Sequence, residues 1–99
     1  MYEVIFLTAA IREIEHAATW YSEQQEDLGQ KFKENIFAEI DKLQSDNLIH
    51  GPVYKHLSRV FAKRFPYSIF FRKDRMRKLI IISGVLHSKQ NSSILDKRI

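Results

Sequence analysis

RFPYSIFF, residues 64–71, sets one of the two prolines in the chain between two β-prone runs. A proline nitrogen donates no hydrogen bond, so Pro66 belongs at a corner and not inside a ladder. Around it lie three strand-like runs, Ser58 to Arg64, Tyr67 to Arg72 and Lys78 to His87, with the polar turn Lys73 to Arg77 as the second break. Short connections between consecutive strands predict an antiparallel meander.

Upstream, Asp46 to Pro52 (DNLIHGP) gathers turn formers and a Gly-Pro pair, which predicts a loop where helix gives way to sheet. Before that loop the apolar period is helical. Ile11, Ile14, Ala17, Ala18 and Tyr21 recur at three- and four-residue spacing, leaving Arg12, Glu15, Thr19 and Glu23 outward, with Thr8 as a hydroxyl cap and an end near Gln25. Asp27 then caps a second helix whose stripe, Leu28, Phe32, Ile36, Ile40 and Leu43, runs to about Ser45. The short link makes the two an antiparallel hairpin. Tyr2 to Leu7 (YEVIFL) reads as a first strand, apolar on both faces and covered on both. The fold expected is α+β, in the order β-α-α-β-β-β, with the helical hairpin packed on a mainly antiparallel four-stranded sheet as one domain over residues 1–99. Trp20, Tyr21, Phe32 and Phe37 are assigned to its core. Asn91 to Ile99 forms either a helical turn or a mobile tail.

Charge divides along the chain. Residues 1–50 hold 4 Lys and Arg against 10 Asp and Glu, net −6, and residues 51–99 hold 12 against 2, net +10. Such a contrast in 99 residues suggests that the second half meets an anionic surface. With no cysteine, disulfide scaffolds, thiol nucleophiles and cysteine zinc sites are excluded. Gly29, Gly51 and Gly84 are too dispersed for a phosphate-cradling loop, and His16, His50, His56 and His87 lack metal-ligand spacing, so neither cofactor nor metal is expected. No apolar run approaches a membrane span. Met1-Tyr2-Glu3 does not open a signal peptide, and the cytoplasm is the expected compartment.

The chemistry-bearing residues lie on the predicted strands. Arg59, Phe61, Lys63 and Phe65 alternate on one side of one run, and Ser68, Phe70 and Arg72 on one side of the next. That pattern suits phosphate contacts and base stacking, and equally phenyl rings turned to the helices with cationic stems over apolar surface. Because Val60, Ala62 and Arg64 form the opposite side, parity leaves both open. His87, with Lys89 two residues on, is the remaining candidate for proton transfer.

Taken together, Trp20-Tyr21, Leu28-Gly29 with Phe32, Arg59, the run Arg64 to Phe71, and Val85-Leu86-His87 followed by Asn91 and Arg98 resemble the RelE/ParE superfamily, the toxic half of bacterial type II toxin-antitoxin modules. The resemblance spans nearly the whole chain. It implies the same β-α-α-β-β-β order, a cytoplasmic plasmid-stabilisation toxin, and a cognate antitoxin whose tail wraps the toxin as a hetero-oligomer. ParE-like members act on DNA gyrase without an evident catalytic constellation; RelE-like members cut messenger RNA on the ribosome. In a nuclease, Arg59 and Arg72 would supply cations and His87 the proton function. The long helical hairpin resembles the ParE-like members, and the absence of a tyrosine after His87, Lys89 in place of an arginine, and Ser92 in place of a frequent proline depart from the RelE-like pattern and weigh against the nuclease. The expected target- and antitoxin-binding surface is Arg59, Lys63, Arg72, His87, Lys89 and Arg98. An mRNA endoribonuclease, an inactive family member and a basic nucleic-acid-binding module are the alternatives.

Overall fold

The computed structural model describes residues 1–45 and 50–98. Its elements are β1 (Glu3–Phe6), α1 (Thr8–Gln24), α2 (Leu28–Lys42), β2 (Ser58–Phe61), β3 (Tyr67–Asp74), β4 (Leu79–His87) and a C-terminal 3₁₀ helix, Ser92–Arg98. The strands form one sheet in the order β1-β4-β3-β2. β2, β3 and β4 make the predicted antiparallel meander, and β1 joins β4 in parallel, so the helical hairpin is the crossover between them. Most of the predicted loop, residues 46–49, lies outside the described residues.

The two helices approach closely because the contact is built from small residues. Ala10, Ala17 and Ala18 are buried on α1, and a Cβ placed on Gly29 of α2 would stand 2.3 Å from the Ala18 carbonyl oxygen. The hairpin covers one sheet face through Ile14, Phe32, Ile36 and Ile40, packed on Ile69, Phe71, Ile80, Ile82 and Val85. Each fully buried large side chain contributes roughly 1.5 to 3 kcal/mol.

At the Pro66 corner the alternation of β2 stops. The strand ends at Phe61, Ala62 N–H donates to the Tyr67 carbonyl at 2.9 Å, and Tyr67 N–H donates to the Phe65 carbonyl at 2.7 Å across a three-residue turn. Asn35 of α2 holds the corner by accepting the Arg64 N–H at 3.2 Å. Phe65 therefore swings to the helix side instead of sharing a face with Arg59 and Phe61. Tyr21, Phe32, Phe65 and Tyr67 close into one aromatic cluster, with Tyr21–Phe65 at 4.9 Å, Phe32–Tyr67 at 5.0 Å and Phe32–Phe65 at 5.2 Å between centroids. Burial pushes the Tyr21 phenol above its ordinary pKa, and burial followed by the neighbouring Tyr21 does the same for Tyr67.

Several local expectations are corrected. Leu7, not Thr8, is the N-cap of α1, because its N–H still bonds the Ile82 carbonyl at 3.0 Å as the chain leaves the sheet. Asp27 does cap α2 by position, but its carboxylate pairs with Lys31 and accepts from Gln25, which holds its pKa below the usual carboxylate range. Trp20 and Phe37 are 56% and 42% exposed, and Ile11 is also exposed, since the cluster around Tyr21 and Phe32 leaves them at the margins. β1 is an edge strand whose Glu3 and Ile5 face water.

Gly29→Ala is expected to cost about 1 to 3 kcal/mol, because the clash is with the backbone of α1. Gly51→Ala, with nothing within 4 Å, is expected to leave thermal unfolding unchanged. Equal melting temperatures for the two variants would contradict this account of the hairpin.

Candidate functional site

The sheet face away from the helices is only partly covered. On β3, Ile69 and Phe71 belong to the helix-side core, so Phe70 between them points outward, where it packs with Leu57, Leu86 and Leu95. Arg59 pairs with Phe70 across the ladder, and its guanidinium lies 4.7 Å from the Phe61 ring centroid and 6.0 Å from that of Phe70. Phe61 itself is 61% exposed. Arg72, two residues beyond Phe70, shares this face and lines an open cleft of about 500 Å³ with Leu7, His56, Ile81 and Arg98. On its other side a second cleft, of about 350 Å³, is lined by His50, Lys55, His56 and Arg75. Arg59 and Arg72 are exposed, and neither has an acidic partner among the described residues.

The 3₁₀ helix crosses the same face. Leu95 is fully buried in the outer cluster, and Arg98 Nη1 donates to Glu13 Oε1 at 2.9 Å and to the Ser83 carbonyl at 3.3 Å. Glu13 Oε1 also accepts the Val85 N–H at 2.9 Å. Beyond Phe6 the chain leaves for α1, so β4 loses its neighbour there, and Glu13 and Arg98 take up the freed backbone groups. The register slips at this point: Phe70 pairs with Gly84 and Phe71 with Ile82, leaving Ser83 as a bulge. A Cβ on Gly84 would stand 2.5 Å from Leu95 Cδ2, so glycine is what lets the 3₁₀ helix seat. Its exposed side is tied by Asp96, which accepts from Tyr54 and pairs with Lys55 Nζ at 3.1 Å. Those contacts, the Tyr54 bond first, hold the Asp96 carboxyl below its usual range.

The remaining candidates sit elsewhere. His87 pairs with Tyr67 across the ladder, their rings 5.1 Å apart, which puts it on the helix-bearing face beside His16 and Trp20. Its N–H donates to Gln90 Oε1 at 2.7 Å, and its Nδ1 accepts the Lys89 N–H at 3.0 Å. Lys89 is exposed just after it. Lys63, past the end of β2, stands beside Lys42 of α2 instead of continuing the row from Arg59.

Of the six residues singled out by sequence, Arg59 and Arg72 thus share an open face, with Arg98 at its rim committed to Glu13. His87 occupies the other side, with Lys89 exposed in the turn after it. A phosphate gripped by Arg59 and Arg72 has no His87 within reach, so the three do not form one acid–base centre in this arrangement. No group of three metal-ligating side chains occurs among the described residues, and no helix among them is long and apolar enough to cross a membrane. Sequence reading missed the Arg12, His16 and Trp20 row, although its four-residue spacing on α1 marks a single line of side chains.

Residues 4–92 match the family described as ParE toxin of type II toxin-antitoxin system, parDE. A solved structure described as the chromosomal ParDE toxin-antitoxin system from P. aeruginosa is similar in fold, with a TM-score of 0.74, 16% sequence identity, and coverage of 88% of this chain and 96% of that one. No curated protein matches the sequence.

Because the Asp96 pKa is lowered in the folded chain, its contribution is present above the unfolded value of about 3.9 and is lost as pH falls through the folded value. Amide protection across Ser92–Arg98 should therefore weaken below about pH 4, and Asp96→Asn should weaken it at neutral pH. Unchanged hydrogen exchange in both experiments would remove Asp96 as the tether. Arg98→Ala, which strips the half-buried Glu13 of its charged partner, is expected to lower stability by about 1.5 to 3 kcal/mol in urea unfolding.

Proposed function

We propose that this chain, which belongs to the ParE toxin family of type II toxin-antitoxin systems, arrests growth through a protein target, DNA gyrase, and is silenced by an acidic antitoxin laid on its helix-free sheet face. The observation that carries the reading is the pair of exposed guanidiniums, Arg59 and Arg72, on one sheet face without acidic partners among the described residues, with Arg59 lying over the exposed Phe61 ring. Arg is suited to carboxylates because its planar fork forms two parallel hydrogen bonds. A flexible acidic tail would supply carboxylates to both arginines and apolar side chains to Phe61 and to the cleft at Ile81, ordering as it binds. The hairpin on the opposite face is net acidic, with 4 Lys and Arg against 8 Asp and Glu over residues 8–42, so a negative partner is drawn to the sheet in preference to the hairpin.

A gyrase poison needs an exposed, rigid binding surface, not a nucleophile or a proton relay. The separation of His87 from Arg59 and Arg72 suits such a mode of action in the cytoplasm and argues against message cleavage by these three residues. The toxin–antitoxin hetero-oligomer is the resting state in this reading, and release of the chain is the toxic event.

Expression of the chain alone should stop growth, and co-expression of a small acidic protein encoded beside it should restore growth. Arg59→Glu with Arg72→Glu should weaken that complex at least tenfold at low salt, and raising salt should weaken the unaltered complex. In a supercoiling assay the purified chain should inhibit gyrase. Unimpaired supercoiling together with cut messages would replace gyrase by the ribosome, and growth without arrest would mark an inactive family member.

A further inference from the structure

A second recess lies on the helix-bearing side, between the outer edge of α1 and the end of β4. Its volume is about 370 Å³, and Glu13, His16, Trp20, Tyr67, His87 and Gln90 form its walls. Three properties distinguish it from an ordinary depression. First, Trp20 is 56% exposed yet held edge-on to Tyr21, with centroids 5.1 Å apart, so a large apolar ring is fixed in place while most of it meets water. Second, the Tyr67 and His87 rings stand at 83° to each other and 5.1 Å apart, and the Lys89 N–H locks His87 through Nδ1, which makes that wall rigid. Third, the carboxylate in the recess is already paired: Glu13 is held by Arg98. Beyond its walls, Arg12 one turn before His16 on α1 and Lys89 two residues after His87 are exposed and have no acidic partner among the described residues.

Rigid, exposed Trp and Tyr rings are what concentrates binding energy at protein interfaces, because little side-chain freedom remains to be lost. Single-stranded nucleic acid is a poorer fit: it needs a row of cations tracking its backbone, and the walls of this recess hold no Lys or Arg and one carboxylate, Glu13. We propose that this recess is the contact surface for the toxin's protein target, taking an apolar or aromatic side chain against Trp20 and Tyr67 with a carboxylate of the same partner beside Arg12 or Lys89. The inference rests on the toxin reading above and adds to it a target site on the opposite side of the sheet from Arg59 and Arg72. The antitoxin face and the target face are then separately mutable.

The test uses the full chain, purified DNA gyrase and a growth assay. Trp20→Ala and, independently, Lys89→Glu should weaken inhibition of supercoiling at least tenfold and relieve growth arrest, with both proteins folded at the assay temperature and the Lys89→Glu melting temperature unchanged, while Trp20→Phe should retain most of the effect. Inhibition by folded Trp20→Ala and Lys89→Glu proteins equal to that of the unaltered chain would overturn the proposal. If the unaltered chain stops growth but leaves gyrase untouched, the gyrase reading fails by itself, and growth decides the recess: relief by Trp20→Ala upholds it and undiminished arrest overturns it. Tight binding of a short single-stranded oligonucleotide that Trp20→Ala abolishes would overturn the assignment to a protein.

Discussion

The arrangement depends on one packing event, the closure of Phe65 and Tyr67 from the Pro66 corner onto Tyr21 of α1 and Phe32 of α2. Edge-on aromatic pairs of this kind add about 0.5 to 1.5 kcal/mol each beyond the area they bury. More important is what the cluster joins. It takes one residue from each helix and two from the β2–β3 corner, so it fixes the hairpin to the sheet at the end where the meander turns. Once the helices are committed to that face, Arg59, Phe61, Phe70 and Arg72 are committed to the other by the two-residue period of a strand.

That commitment carries part of the division along the sequence into space. The net-acidic hairpin lies on one side, and Arg59 and Arg72 of the basic half stand on the open face on the other, while Lys63 and Lys73 stay on the helix side. The open face is not bare: Leu95 fills its centre, and the Glu13–Arg98 pair ties the chain end to α1 where β4 has lost its neighbour. What stays available is a rim of guanidiniums and an exposed phenyl ring around an apolar centre, a surface matched to an acidic segment with spaced apolar residues.

The sequence made the architecture readable because each element carried its own period and punctuation. Pro66 marked a corner, the stripes from Ile14 to Ala18 and from Phe32 to Leu43 marked helices, and the small residues around Ala18 and Gly29 fit their close approach. Faces were harder to read. Phe65 lay in phase with Arg59 and Phe61 by counting, but the strand ended before it, and a turn bond that no pattern announces sent it inward. Lys63 left the row for the same reason. Arg98 stood out as a cation in a basic half, whereas its acidic partner sits 85 residues away and only tertiary contact shows the pair. His87 and Arg59 both belonged to strands, and their opposite faces followed from a register fixed by a bulge at Ser83.

The central claim is that the helix-free face, around Arg59, Phe61 and Arg72, is where the partner lies. Backbone amide hydrogen exchange of the chain, free and bound to an antitoxin partner, tests this directly. The account predicts new protection along β2, at Arg72 and over the 3₁₀ helix, with the outer surface of the hairpin little changed. Protection confined to α1 and α2, with β2 and Arg72 exchanging as in the free chain, would contradict it.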